Sequence, residues 1–216
     1  MIAFGFGRKT GSELPGELDG IVRPRHKWDA YSIGSIPMGQ ELAVTPIQLI
    51  TAHAALANSG RLCRPTLIAT SDDQQREQIG AVADLETAAL VSGTVDPRIA
   101  EWLVTEPMTE VVRRGTGTKA QLRDYDVFGK TGTAQKLDPK TGGYSENRYV
   151  CSFICGAPSA DPRVLVLVTV DAPTVGSPHY GGTVAAPAAS RILQQSLQQM
   201  KVPSRRLAGA KQRARE

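Results

Sequence analysis

The longest unbroken apolar run of the chain, Val164-Leu165-Val166-Leu167-Val168, continues through Thr169 to Val170 and is apolar at odd and even positions alike. A half-buried strand alternates with period two, so a run without alternation predicts a central strand covered by helices on each side. A second strand is predicted over 148–158, and the short polar connection Ser159-Ala160-Asp161-Pro162 makes the pair an antiparallel hairpin. A third strand-like run spans 127–136, and the stretch from 137 to 147, with Asp138-Pro139 and Gly142-Gly143, reads as a loop.

Helical signals surround these strands. Thr45 as N-cap, Pro46 at the first helical position and Gln48 as second partner of a capping box start a helix that stops at Asn58-Ser59-Gly60. Leu49, Ile50, Ala54, Leu56 and Ala57 are its expected buried stripe, with His53 as a packed histidine on the inner side. After a polar, exposed 70–80 segment, a second helical region covers 85–114, restarting at Asp96-Pro97, interrupted by Pro107 and ended by Gly115-Thr116-Gly117-Thr118. Arg113 and Arg114 suit the negative end of that helix. A last helix over 186–200 would lay Ile192, Leu193, Leu197 and Met200 on the sheet. Residues 1–44, rich in Gly and Pro, show neither period and read as ordered loop. The expected fold class is α+β, an antiparallel sheet packed with helices.

With 216 residues and 41% apolar content, the chain can form an ordinary globular domain. The formal charge of +4 is a property of its end: the residues from Lys201 onward carry six basic groups and one acid, leaving −1 for residues 1–200. Lys201, Arg205, Arg206, Lys211, Arg213 and Arg215 lie in a segment without apolar periodicity, read as a solvated tail over 201–216, and no nucleic-acid partner is expected. No stretch has the length of a membrane-spanning helix, and Arg8, Lys9, Glu13, Glu17 and Asp19 occupy the place of a signal-peptide core. Cys151 and Cys155 sit on one face of a strand, roughly 13 Å apart and too far for a disulfide. The three cysteines lack metal spacing and are expected as buried thiols; His26, His53 and His179 are scattered, so neither a metal nor a cofactor is expected.

The chemistry-bearing segment is Lys130-Thr131-Gly132-Thr133, inside the 127–136 strand. A cation, two hydroxyls and a glycine along an extended segment offer a carboxylate charge, hydrogen bonds and close access to backbone amides. A phosphate-binding loop would need glycine where Asp124 stands and small residues where Tyr125 to Phe128 stand. Gly5-Phe6-Gly7 fails as a dinucleotide fingerprint, because Thr10 replaces the third glycine and no strand precedes it. A polar edge strand guarded by lysine is the plain alternative.

The order of motifs closely resembles the class B penicillin-binding proteins, which are peptidoglycan D,D-transpeptidases. The resemblance runs through Phe4-Gly5-Phe6-Gly7, Thr10-Gly11, Leu14-Pro15-Gly16-Glu17, Gly39, Thr45-Pro46 with Gln48, Gly115-Thr116-Gly117-Thr118, the tetrad at Lys130, the Phe153 strand, and Tyr180-Gly181-Gly182 with Ala185-Ala186-Pro187. It covers residues 4–200. It implies the C-terminal portion of the penicillin-binding-protein and serine β-lactamase-like fold, with three of five sheet strands, in which a serine of a Ser-x-x-Lys motif attacks the penultimate D-alanine carbonyl of a stem peptide. On that model Lys130 supplies positive potential and a proton-network partner, and Thr131 and Thr133 offer hydroxyls. Gly132 keeps a side chain out of the peptide's way, and the Thr133 amide is one oxyanion donor. Tyr180 and Gly181 belong to a loop flanking the cleft. Peptidoglycan stem peptides and β-lactams are the implied ligands, a complementing chain or cell-wall synthesis proteins the implied partners, and the outer face of the cytoplasmic membrane the implied location.

The departure from the pattern is equally specific. None of the serines has lysine three positions on, and Ser145-Glu146-Asn147, the one Ser-x-Asn triplet, follows the tetrad instead of preceding Phe4-Gly5-Phe6-Gly7. The nucleophile, the first half of the catalytic domain and the anchor are expected to lie outside these residues, with Met1 a point of truncation and an open edge on the 164–170 strand that favours association. Two roles stay open: part of a transpeptidase active only once completed, or a noncatalytic remnant that binds stem peptides or a partner protein.

Overall fold

The computed structural model describes residues 1–67, 94–174 and 180–204. The 70–80 segment, the start of the 85–114 helical region, His179 and the tail from 205 lie outside the described residues. The chain divides into two compact units, Met1–Glu101 and Trp102–Glu216.

In the first unit a two-residue strand β1 (Ile21–Val22), a single helical turn α1 (Ser32–Ser35), a second short strand β2 (Leu42–Ala43) and helix α2 (Pro46–Ala57) follow one another. The strands pair antiparallel, Ile21 opposite Ala43 and Val22 opposite Leu42. Around them the loop expected over 1–44 is ordered by carboxylates. Glu17 accepts hydrogen bonds from the Thr10 hydroxyl and from the Thr10 and Gly11 amides, and the Thr10 hydroxyl bond holds its carboxyl below the ordinary value. Glu41 accepts from the Ser35 and Ser32 hydroxyls and pairs with Arg23, and its carboxyl is lowered by the Ser35 bond first.

The capping box of α2 is present as the sequence predicts. Thr45 Oγ1 accepts from the Gln48 amide at 3.2 Å and Gln48 Oε1 from the Thr45 amide at 2.9 Å. The buried face differs from expectation: Gln48, Thr51, Ala52 and Ala55 are inside, whereas Leu49, Ile50, Ala54, Leu56 and Ala57 are half-buried. Gln48 is buried because it is fully bonded, its Nε2 donating to the Arg8 carbonyl at 2.7 Å and the Asp19 carbonyl at 2.8 Å. One cap residue thus also fastens the loop. His53 is half-buried, with Nδ1 2.9 Å from the Leu49 carbonyl one turn back.

Helix α3 (Pro97–Thr105) carries the boundary between the units, and α4 (Pro107–Arg113) begins at the proline that ends it. Arg113 and Arg114 both pair with Glu110, one three and one four residues back, so they serve side-chain pairs as well as the helix end. Strands β3 (Phe128–Leu137), β4 (Tyr144–Ala157) and β5 (Val164–Asp171) form an antiparallel sheet in the order β3-β4-β5. The single turn α5 (Gly181–Val184) and helix α6 (Ala186–Gln199) follow.

Three expectations are corrected here. Among the described residues β5 has the open edge expected of it, but it is not covered as a central strand would be: only Val166 is buried within it, and β4 is the central strand. Central position is set by hydrogen-bonded neighbours, and the buried positions of β4 include small residues such as Cys151 and Gly156. The loop expected over 137–147 is shorter, since β4 starts at Tyr144, opposite Leu137. Ser145-Glu146-Asn147 therefore lies in the strand, where Ser145 Oγ bonds Asn147 Oδ1 at 3.2 Å. Of the cysteines, Cys63 is exposed. Cys151 and Cys155 are buried and form no disulfide, and burial pushes the Cys155 thiol up to about 12.

The core of the second unit joins Phe153, Cys155 and Ala157 of β4 and Val166 of β5 to Ala186, Ala189, Leu193 and Leu197 of α6. These four α6 residues follow the i, i+3, i+7 spacing of one helix face. Ile192 and Met200, expected on the sheet, are 47% and 58% exposed. Leu193→Ala should therefore cost about 2–5 kcal/mol and Ile192→Ala less than about 1 kcal/mol, read from urea unfolding of the full chain. Equal losses at the two positions would contradict this helix face.

Candidate functional site

The tetrad occupies the first half of β3, with Lys130 opposite Ile154, Thr131 opposite Phe153, Gly132 opposite Ser152 and Thr133 opposite Cys151. Among the described residues β3 pairs only with β4, so its other edge is free of strand partners. Strand alternation puts Thr131 and Thr133 on the face of Phe153 and Cys151, and Lys130 and Gly132 on the opposite face. The single lysine and the two hydroxyls therefore flank the backbone from both sides.

Two further segments meet this strand. The first is the turn that closes α4. Its Gly115 amide donates to the Glu110 carbonyl at 3.1 Å and its Gly117 amide to the Val111 carbonyl at 2.9 Å, capping carbonyls the helix leaves open. Gln121 Nε2 adds bonds to the Val112 and Arg113 carbonyls. The turn thus has a fixed place on the helix. From it Thr116 reaches the tetrad, its Oγ1 2.9 Å from Thr131 Oγ1.

The second segment is the start of α5. Tyr180 is its N-cap, and Gly181 and Gly182 are its first helical residues, both buried. The expected flanking loop is in fact this helical turn. A Cβ at Gly181 would stand 2.1 Å from the Ser152 carbonyl oxygen and 2.5 Å from that of Gly132. One at Gly182 would stand 2.0 Å from the Thr116 carbonyl oxygen. Only glycine lets the helix backbone lie directly on the strand and the turn. The contact is completed by the Gly181 amide, which donates to Thr133 Oγ1 at 3.1 Å.

The structure therefore gathers Lys130, Thr131, Gly132, Thr133 and Gly181 in one place, joined by Thr116, for which the sequence suggested no role beyond its motif. Tyr180 is 60% exposed at the rim. Gly132 has a local steric reason of its own, since a Cβ there would meet Ser152 Oγ at 2.4 Å. Lys130 Nζ donates to the Thr131 carbonyl at 2.9 Å and ion-pairs with no carboxylate among the described residues. An ammonium without a carboxylate partner on this strand gives the segment a positive potential that favours an anion. Ser145 lies six residues along β4 from Cys151, the partner of Thr133, or roughly 20 Å of strand, and takes no part in this grouping.

Comparison with known proteins fits this geometry. The family model of the penicillin-binding protein transpeptidase domain matches residues 1–194. Stage V sporulation protein D of Bacillus subtilis is 37% identical over 204 residues, which cover 94% of this chain and 30% of that protein. Penicillin-binding protein 3 of Mycobacterium tuberculosis, solved in complex with ampicillin, superimposes with a TM-score of 0.77 at 28% identity, over 94% of this chain and 45% of that one. The transpeptidase domain of Burkholderia pseudomallei penicillin-binding protein 3 does so with a TM-score of 0.79 at 31% identity, over 94% and 57% of the two chains. The chain thus spans about a third of the length of its curated relative and about half of its solved ones. With the family model matched along nearly its whole length, the chain belongs to the transpeptidase-domain family of the class B penicillin-binding proteins.

Proposed function

We propose that this chain supplies the substrate-gripping portion of a peptidoglycan D,D-transpeptidase, with residues 1–200 as the C-terminal part of the catalytic domain and 201–216 as a basic tail. The observation that carries the reading is the convergence of Thr116 on Thr131 and of Gly181 on Thr133, next to Lys130, which bonds the Thr131 carbonyl, on a strand edge free of strand partners among the described residues. Lys130 provides the positive potential that draws the terminal carboxylate of a stem peptide. Thr133 Oγ1 accepts from the Gly181 amide, which leaves its own hydroxyl hydrogen free to donate to that carboxylate. The Thr133 amide serves as an oxyanion donor, a contribution worth about 3 kcal/mol of barrier in comparable sites. β-Lactams, which carry a similarly placed carboxylate, use the same grip, in keeping with the ampicillin-bound relative.

Acyl transfer also requires a nucleophile. These 216 residues hold no serine with a lysine three positions later, so the attacking Ser-x-x-Lys comes from sequence outside them, in the same or another chain. The same observation favours a second reading, in which the chain binds stem peptides or a partner without catalysis. The proposed setting is cell-wall synthesis at the outer face of the cytoplasmic membrane; no described helix is long and apolar enough to cross it.

The transpeptidase reading, and the second reading where its ligand is a stem peptide, predict that the chain binds an N-acetylated peptide ending in D-Ala-D-Ala as the free carboxylate, and binds its carboxamide much more weakly. Lys130→Ala should weaken the carboxylate form about tenfold or more, the usual size of a lost charge-assisted bond, with the carboxamide unaffected. Calorimetry on the full chain measures this, and equal affinity for the two peptide forms would refute the grip. Fluorescent penicillin is expected to leave the chain unlabelled; a labelled serine would refute the external nucleophile.

A further inference from the structure

We infer that Thr116 is a positioning residue for the grip, one that directs the Thr131 hydroxyl toward the incoming carboxylate; the inference rests on the reading of the tetrad given above. Each hydroxyl has one hydrogen to donate. Thr116 Oγ1 and Thr131 Oγ1 stand 2.9 Å apart, so one of their two hydrogens lies in the bond between them and one is left over. A carboxylate only accepts, and its approach to Thr131 selects the arrangement in which Thr116 donates inward and Thr131 donates outward. A chain of donors aligned in this way is polarised in one direction, which strengthens the outer bond.

Such a role requires a fixed Thr116, and the surrounding contacts supply it. Gly182 packs against the Thr116 carbonyl, and a Cβ on Gly117 would stand 2.9 Å from Phe153 Cε2. The Gly115 and Gly117 amides fasten the turn to α4 on the other side. The Thr131 methyl lies on the same face, where a Cβ on Gly182 would come within 3.2 Å of Thr131 Cγ2. Thr131 is therefore bounded by α5 on its methyl side and by the Thr116 hydroxyl on its oxygen side. The two hydroxyls of the tetrad are served differently: Thr133 is oriented by a backbone amide, which only a proline would remove, and Thr131 by one exposed side chain.

The test compares Thr116→Val, which keeps the shape and removes the hydroxyl, with Thr116→Ser, which keeps the hydroxyl, in the full chain. One readout needs no ligand: the three-bond couplings from Thr131 Cγ2 to its backbone nitrogen and carbonyl carbon, which report its side-chain rotamer. The other is affinity for the N-acetylated D-Ala-D-Ala peptide as carboxylate and as carboxamide. Thr116→Val should average the Thr131 couplings over more than one rotamer and weaken the carboxylate form about fivefold. Thr116→Ser should restore both, with the carboxamide unchanged throughout. A single Thr131 rotamer in Thr116→Val, or an unchanged affinity for the carboxylate, overturns the inference. A wild-type chain that treats the two peptides alike refutes the substrate reading instead, and the couplings then still decide whether Thr116 orients Thr131.

Discussion

The site depends on a close approach of backbones. The start of α5 lies against the Gly132 and Ser152 carbonyls and against the carbonyl of Thr116, at distances that a Cβ on Gly181 or Gly182 would close to about 2 Å. Nothing larger than glycine fits, and because of that fit the Gly181 amide reaches Thr133 while the turn after α4 reaches Thr131. Strand, turn and helix start converge from positions 116, 131–133 and 181–182, far apart in sequence. The sheet and α6 core beneath them is what holds the convergence together: Phe153, opposite Thr131, is fully buried in it.

Electrostatics gives the convergence its direction. Several cations among the described residues are paired, as with Arg113 and Arg114 on Glu110, or Lys136 with Asp171 across the sheet. At Lys130 the ammonium has only a backbone carbonyl. A lysine serving merely to guard an edge strand would look the same in isolation. The two oriented hydroxyls on the neighbouring positions favour the proposed grip over the guard, since edge protection has no use for them.

Much of this was legible in the sequence. The capping box at Thr45, the restart at Asp96-Pro97, the break at Pro107 and the strand carrying Lys130 depend on local chemistry, and each stands where local chemistry puts it. Burial was read less well wherever it depended on partners. Gln48 is inside because its hydrogen bonds are satisfied, Ile192 is outside because the α6 face is set by Ala186, Ala189, Leu193 and Leu197, and β5 buries only Val166 despite its apolar run. Motif order identified the tetrad, Tyr180 and Gly181 as candidate site residues. It could not reveal the contact between Thr116 and Thr131, which spans fifteen positions and exists only once the turn is capped onto α4.

Whether the turn, the tetrad and the helix start form the one carboxylate-binding surface proposed here is tested most directly by amide chemical-shift mapping of the full chain titrated with the N-acetylated D-Ala-D-Ala carboxylate. Shifts should concentrate at Thr116, at Lys130 to Thr133 and at Gly181. Shifts that leave these residues unmoved and gather elsewhere, such as around Ser145 on the far half of β4, would contradict it.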